Sequence, residues 1–479
     1  MTDQLVFNGI DATTGNYLIP PVEPETMAAA ITGEPQDAEE AEALKRWWAQ
    51  YADTNKNKKA DYAAKEGTDY KDLASAGWGV IFPYNVDPTI VKALKPLLDW
   101  RKALAGKLYK EYSGPEGYRF KPGEMYESKD EWLTRHGAGP GPVDPEIVPY
   151  YLLIVGDPEQ VPYRFQTQLD VQHAVGRIYF DKPEEYWNYA NSVVNAEKKK
   201  ISLGKSAAFF GVSNKDDVAT NMSAEQLVKP LADTFAKEQK GWKFSTFLGD
   251  KARKADLANV LGGNDTPALL FTASHGMGFP NGDPLQLTNQ GALLCQDWPG
   301  PKGWRKAIGK DFYFAADDLA DSATLFGLVA FFFACYGAGT PKMDDFSKQA
   351  FKQRGEIAPK NFLAKLPQRM LSHPKGGALA VIGHVERAWG YSFSWGKAGA
   401  QRAVFESALK RLFDGYPIGY AFEYFNGRYA ELSSDLTSTL EEMEFGKKVA
   451  PADLAGLWTA NNDARNYVVL GDPFVKLMA

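Results

Sequence analysis

Two cysteines and five histidines in 479 residues leave little material for disulfide or metal chemistry. Cys295 and Cys335 make no C-x-x-C, and His136, His173, His275, His373 and His384 include no H-E-x-x-H, so zinc-ligand spacing is missing. A disulfide framework of the kind small secreted domains rely on cannot be built. Basic charge is scarce too: 54 Lys plus Arg against 60 Asp plus Glu leave a net charge of −6, with no excess to draw nucleic acid. No apolar run is long enough to span a membrane, and MTDQLVFNGIDATTGNYLIPP shows no basic stretch followed by an apolar one. The expectation is a soluble cytoplasmic protein with neither nucleic-acid nor membrane partners. Phosphate-binding glycine loops are also missing. The two Gly-Asp-Pro turns, at 156–158 and 471–473, put proline where a further backbone donor would be needed, so they read as strand-ending turns.

What the chain does have is apolar and aromatic residues, 44% and 13%, enough for two or three cores. Two stretches share one grammar. In LVAFFFACYGAGTP (Leu328–Pro341) an apolar run of strand length ends at Cys335 and gives way to a glycine-rich turn. In PALLFTASHGMG the run Ala268–Phe271 leads through small residues to His275 and Gly276. Side chains at the carboxyl ends of neighbouring parallel strands come within reach of one another, so this pattern suits a Cys-His dyad. A free thiol has a pKa of about 8.5 and is mostly protonated at neutral pH, which is why the nucleophile needs an adjacent imidazole. With no side chain at Gly276, its N–H can approach a developing oxyanion, and the Cys335 N–H is the second donor. Cys295 lies in a connector and is expected to be a bystander.

Along the chain, residues 1–70 read as an N-terminal extension. Its helix-forming Asp37–Tyr51 carries Trp47 and Trp48 at helical spacing, suited to packing on the body or docking a partner. A first α/β unit, residues 71–203, has strands near Gly77–Pro83, Tyr150–Val155 and Val175–Phe180, with helices over 88–112 and 183–200. Residues 113–146 are rich in Gly and Pro and read as a long surface loop. A second unit, 204–479, has strands at Ser206–Val212, Trp242–Leu248, before His275, before Cys335, and at Ala378–Ile382, with helices over 397–413 and 417–444. Strands alternating with helices predict α/β subdomains with mainly parallel, doubly wound sheets.

These segments resemble the caspase-like cysteine peptidases of clan CD, most closely the gingipain family, with the bacterial CHAT-type caspase-like domains as relatives. Beyond TASHG and FFACYGAG, the resemblance rests on YYLLIVGDPEQVP, VGRIYF, GGALAVIGHVERAWG and NYVVLGDPFVKL, in family order over roughly residues 72–479. It implies a cysteine endopeptidase (a hydrolase) cleaving protein or peptide substrates without metal or cofactor, with Cys335 and His275 catalytic. It makes Trp389 a wall of the substrate pocket and gives His384 a pocket or structural role. In arginine-specific gingipains a carboxylate at the pocket floor comes from the loop after the second subdomain's first strand. Here that loop carries Asp216 and Asp217, which would select a basic residue before the cut. Regulation inside the cell, with an activating protein partner, fits the CHAT-type resemblance. The contrasting expectation is the same fold with an idle dyad, serving as a docking module.

Overall fold

The protein is described here from a computed structural model covering residues 4–6, 8–18, 21–24, 63–119, 126–199, 203–344, 355–395 and 398–479. The expected aromatic helix at Asp37–Tyr51, with Trp47 and Trp48, lies outside the described residues.

Ten strands form one sheet: β2 (Trp78–Ile81), β3 (Tyr109–Tyr112), β4 (Tyr151–Val155), β5 (Ala174–Ile178), β6 (Ser206–Gly211), β7 (Lys243–Leu248), β8 (Leu269–Ala273), β12 (Val329–Phe333), β13 (Ala380–His384) and β14 (Tyr467–Gly471). Their spatial order is β3-β2-β4-β5-β14-β13-β12-β8-β6-β7. Every pairing is parallel except β13 with β14. The mixed α/β class with a mainly parallel sheet is thus as expected. The strands of 71–203 and of 204–479 nevertheless share a single sheet, because the C-terminal strand β14 inserts between them, parallel to β5 and antiparallel to β13.

The interior strands β4, β5, β8, β12, β13 and β14 are buried at every position, as a parallel sheet with both faces covered requires. The edge strands β3 and β7 are partly exposed. Helix α1 (Pro88–Ala105) starts where Asp87 accepts a hydrogen bond from the Thr89 N–H and proline takes the first position. It buries Leu94, Leu97 and Leu98, while α2 (Pro183–Lys199) turns Tyr186, Tyr189, Ala190 and Val193 inward. Helices α3 (Lys229–Glu238), α4 (Ala403–Phe413), α5 (Ile418–Glu444) and α6 (Pro451–Arg465) complete the covering layers.

The sequence reading missed two features. Helix α6 has almost no polar face: Leu454 to Ala464 are buried apart from Leu457, which removes the amphipathic signature of a helix. The connector after His275 is a second sheet. Short strands β1 (Gly9–Asp11), β9 (Gly276–Gly278), β10 (Leu293–Leu294) and β11 (Tyr313–Phe314) lie in that order over a core of Ile10, Met277, Leu294 and Trp298.

The turn after β14 ties the first half together. Asp472 accepts hydrogen bonds from Arg101 Nε at 2.7 Å, Trp78 Nε1 at 3.1 Å and the Phe474 N–H at 2.9 Å, and Arg101 makes two further bonds of 2.7 Å to Glu197. Arg101 and Asp472 are fully buried. Removing one partner of such a buried pair strands the other, so Asp472→Ala should lower unfolding free energy by about 3–5 kcal/mol, read by urea denaturation. A change below about 1 kcal/mol would contradict this role.

Candidate active site

Neighbouring strands β13, β12, β8 and β6 run in the same direction, so their carboxyl ends lie along one edge. Each delivers one part of the site. After β6 comes Asp217, whose carboxylate caps the short helix Val218–Ser223 through the Ala219 N–H at 3.2 Å. After β8 come Ser274, His275 and Gly276, after β12 Ala334 and Cys335, and after β13 the loop that reaches Gly390.

Backbone strain is concentrated here. Tyr336 (φ 58°) and Glu386 (φ 80°) are left-handed non-glycine residues, and the Tyr336 N–H donates to the Glu386 carbonyl at 2.6 Å. Next to them Arg387 makes paired bonds of 2.9 and 2.8 Å to Asp344, which fixes the loop leading to Ala388. Gly276 passes so close to the next strand end that a Cβ would lie 1.8 Å from the Cys335 carbonyl oxygen. Glycine is required there by packing, and the Gly276 and Cys335 N–H groups are thereby brought side by side.

His275 is fully buried, and its Nε2 lies 2.6 Å from Asp217 Oδ2. Asp217 also accepts from Tyr17 Oη and Thr220 Oγ1, each at 2.7 Å. Burial pushes the Asp217 carboxyl pKa up, but the His275 charge and the bonds from His275, Thr220 and Tyr17 outweigh it and hold the group below its usual range. With Nε2 donating to Asp217, Nδ1 is the basic nitrogen. It is buried and has no hydrogen-bond partner among the described residues. Cys335 is also fully buried, which pushes its thiol pKa up, and Sγ accepts from the Ala388 N–H at 3.2 Å.

One carbonyl completes the arrangement. The Asn8 oxygen accepts from the Gly276 N–H at 3.1 Å and from the Cys335 N–H at 3.2 Å. The two donors read from the sequence as an oxyanion pair therefore converge on a single oxygen, that of the chain's own N-terminal segment.

The expected pocket residues are placed differently. Asp217 is saturated by four donors behind His275 and is not free to receive a substrate cation. Asp216 is exposed and lies 3.7 Å from Lys302 Nζ. Trp389 is 1% exposed, in the main hydrophobic core, and its backbone N–H donates to Asp463 Oδ1 at 2.8 Å. His384 Nε2 lies 2.9 Å from the Asp463 carbonyl oxygen, which gives it a structural part. Cys295 is buried off this edge, its thiol 3.4 Å from the Leu293 carbonyl oxygen. Asn8, Ala388 and Asp463 were not singled out from the sequence. Asn8 falls outside the region of resemblance, and Asp463 sits in the helix whose periodicity burial erases.

A thiol, an imidazole held by a carboxylate, and two converging N–H donors thus lie at the carboxyl ends of β6, β8 and β12. The model of peptidase family C25 matches residues 143–478, and the chain belongs to that family of cysteine peptidases. Among solved structures, the chain is similar to the Arg-specific cysteine proteinase gingipain R, with 14% identity over 87% of this chain and 80% of that one and a TM-score of 0.49. It is also similar to the complex of the Porphyromonas gingivalis RgpB pro- and mature domains, with 11% identity, 84% and 79% coverage and a TM-score of 0.44. The Saccharomyces cerevisiae separase–securin complex matches with 11% identity over 94% of this chain and 26% of that one, at a TM-score of 0.33. No curated protein matches. No helix among the described residues is long and apolar enough to cross a membrane.

Because the folded pKa of Asp217 lies below the unfolded carboxylate value of about 3.9, its contribution to stability is complete above that pH and is lost as pH falls through the folded value. Asp217→Asn should therefore lower the thermal midpoint more at pH 7 than at pH 3. Equal losses at both pH values would contradict a buried Asp217 carboxylate kept ionised by its donors.

Proposed function

We propose that the protein is an endopeptidase in which Cys335 is the nucleophile, His275 the general acid and base, and Asp217 the residue that positions the imidazole. The observation that carries this reading is the convergence of the Gly276 and Cys335 N–H groups on one carbonyl oxygen. Such donors stabilise the charge that develops on the oxygen as a thiolate adds to the carbonyl carbon. The Asp217 bond to Nε2 leaves Nδ1 as the nitrogen that takes the thiol proton and later gives it to the departing amine. Water then releases the acyl group from Sγ. Full burial of both side chains, with Tyr17 against the His275 ring and the Asn8 oxygen on the Cys335 N–H, supports regulated rather than constitutive action. Selection of a basic residue before the cut draws no support from Asp216 or Asp217, whose contacts lie elsewhere.

Cys335→Ala should reduce peptide cleavage by roughly 10³-fold or more with an unfolding midpoint close to wild type, and His275→Ala by roughly 10²–10⁴-fold with a lowered midpoint, because Asp217 loses its buried partner. Cys295→Ala should cleave at a rate close to wild type. Normal turnover by Cys335→Ala, or equal loss in Cys295→Ala, would overturn the assignment.

A further inference from the structure

The N-terminal segment lies in the cleft in the pose of a substrate. The Asn8 N–H donates to the Ala388 carbonyl at 3.0 Å and the Gly390 N–H donates to the Val6 carbonyl at 3.1 Å, the two flanking bonds of an antiparallel pairing with the loop after β13. The next carbonyl, that of Asn8, is the one received by Gly276 and Cys335. Beyond it the chain continues as β1, pairing in parallel with β9 from Gly9 to Asp11. The bond at the nucleophile is therefore Asn8–Gly9, with glycine presenting no side chain on the departing side.

Both sides of that bond are anchored, each in a different core. Ile10 and Ala12 are buried in the core of the small sheet, the Ala12 N–H donates to Gly278 and the Ile308 N–H to Ala12. On the other side Leu5 is buried in the main core and pairs with Val22, Gln4 donates to Glu23, and the Val6 and Asn8 bonds tie the segment to the loop after β13. The Asn8 side chain is itself 2% exposed, and its Nδ2 donates to the Ser274 carbonyl at 3.2 Å. A carboxamide can supply that donor, whereas an aspartate would set oxygen against oxygen in a buried place.

We propose that the enzyme cuts its own chain in cis between Asn8 and Gly9, and that its substrates are peptides with asparagine before the cut. This rests on the catalytic reading above. Sγ adds to the Asn8 carbonyl carbon, the Asn8–Gly9 C–N bond breaks, and the thiol proton passes through His275 Nδ1 to the Gly9 amine. Water hydrolyses the thioester, releasing the segment that ends at Asn8 as a carboxylate and returning the thiol. Residues from Gly9 onward stay in the small sheet. The cleft, in which Cys335 and His275 are now fully covered, opens to other chains.

The full-length protein, Cys335→Ala and Asn8→Asp are each purified and followed by intact mass and N-terminal sequencing at several concentrations. Peptides with Asn, Asp, Lys or Arg before the cut are assayed in parallel, and circular dichroism checks that each variant is folded. Wild type should acquire an N-terminus at Gly9 at a rate independent of concentration, while Cys335→Ala stays intact. Asn8→Asp should be cut slower by about 100-fold or more, and peptide cleavage should show a lag that tracks the self-cut and favour Asn. A wild type that stays intact or is cut elsewhere while cleaving peptides would overturn the self-cut and leave the catalytic reading standing. Preference for Lys or Arg would overturn the asparagine assignment. No cleavage of itself or of any peptide, with wild type indistinguishable from Cys335→Ala, would overturn both. Should Asn8→Asp not fold, Asn8→Gln provides the same comparison, keeping the amide but lengthening the side chain, and cutting at the wild-type rate would overturn recognition of asparagine.

Discussion

The site depends on the close approach of two backbones. Gly276 and Cys335 lie at the ends of adjacent parallel strands, at a separation only glycine allows, and their N–H groups point at one place. A β8–β12 pairing five residues long fixes that approach, and a sheet buried on both faces prevents it from relaxing. The left-handed turns bend the chain just after Cys335, at Tyr336, and just before Ala388, at Glu386, and the Arg387–Asp344 pair holds the loop that carries Ala388. Strain at these residues is compensated by the rigid strands on either side.

Charge and burial are arranged to keep the site quiet while it is covered. Burial favours the neutral thiol of Cys335, and a fully enclosed thiol is a poor nucleophile. Asp217, saturated by hydrogen-bond donors, is a fixed anion that orients His275 and leaves Nδ1 free of competing bonds. Tyr17 joins this network from the same N-terminal segment that occupies the cleft, through its bond to Asp217. The segment is thus part of the electrostatic setting of the site as well as its cover.

Local grammar made the strands legible. Apolar runs ending in small residues located β8 and β12, and with them the strand ends that carry His275 and Cys335. The glycine after His275 marked a close backbone approach, and its N–H converges with that of Cys335 on one oxygen. What sequence could not show was tertiary. Asp217 looked like a loop carboxylate suited to a pocket floor, and only the packing of β6 beside β8 turns it towards His275. Helix α6 hides Asp463 because Asn461, Asn462 and Asp463 are buried polar residues within a helix lacking a solvent face. The part played by Asn8 depends on contacts with residues far along the chain, and no periodicity announces such a pairing.

The central claim is that the N-terminal segment presents the Asn8 carbonyl to the Gly276 and Cys335 N–H groups. A crystal structure of full-length Cys335→Ala, in which the thiol is absent and the chain stays whole, tests it most directly. The account predicts continuous density from Val6 through Asp11 along the loop after β13 and then β9, with the Asn8 oxygen about 3.1–3.2 Å from both nitrogens. An open cleft with β1 absent from the small sheet, or another carbonyl between those two N–H groups, would contradict it.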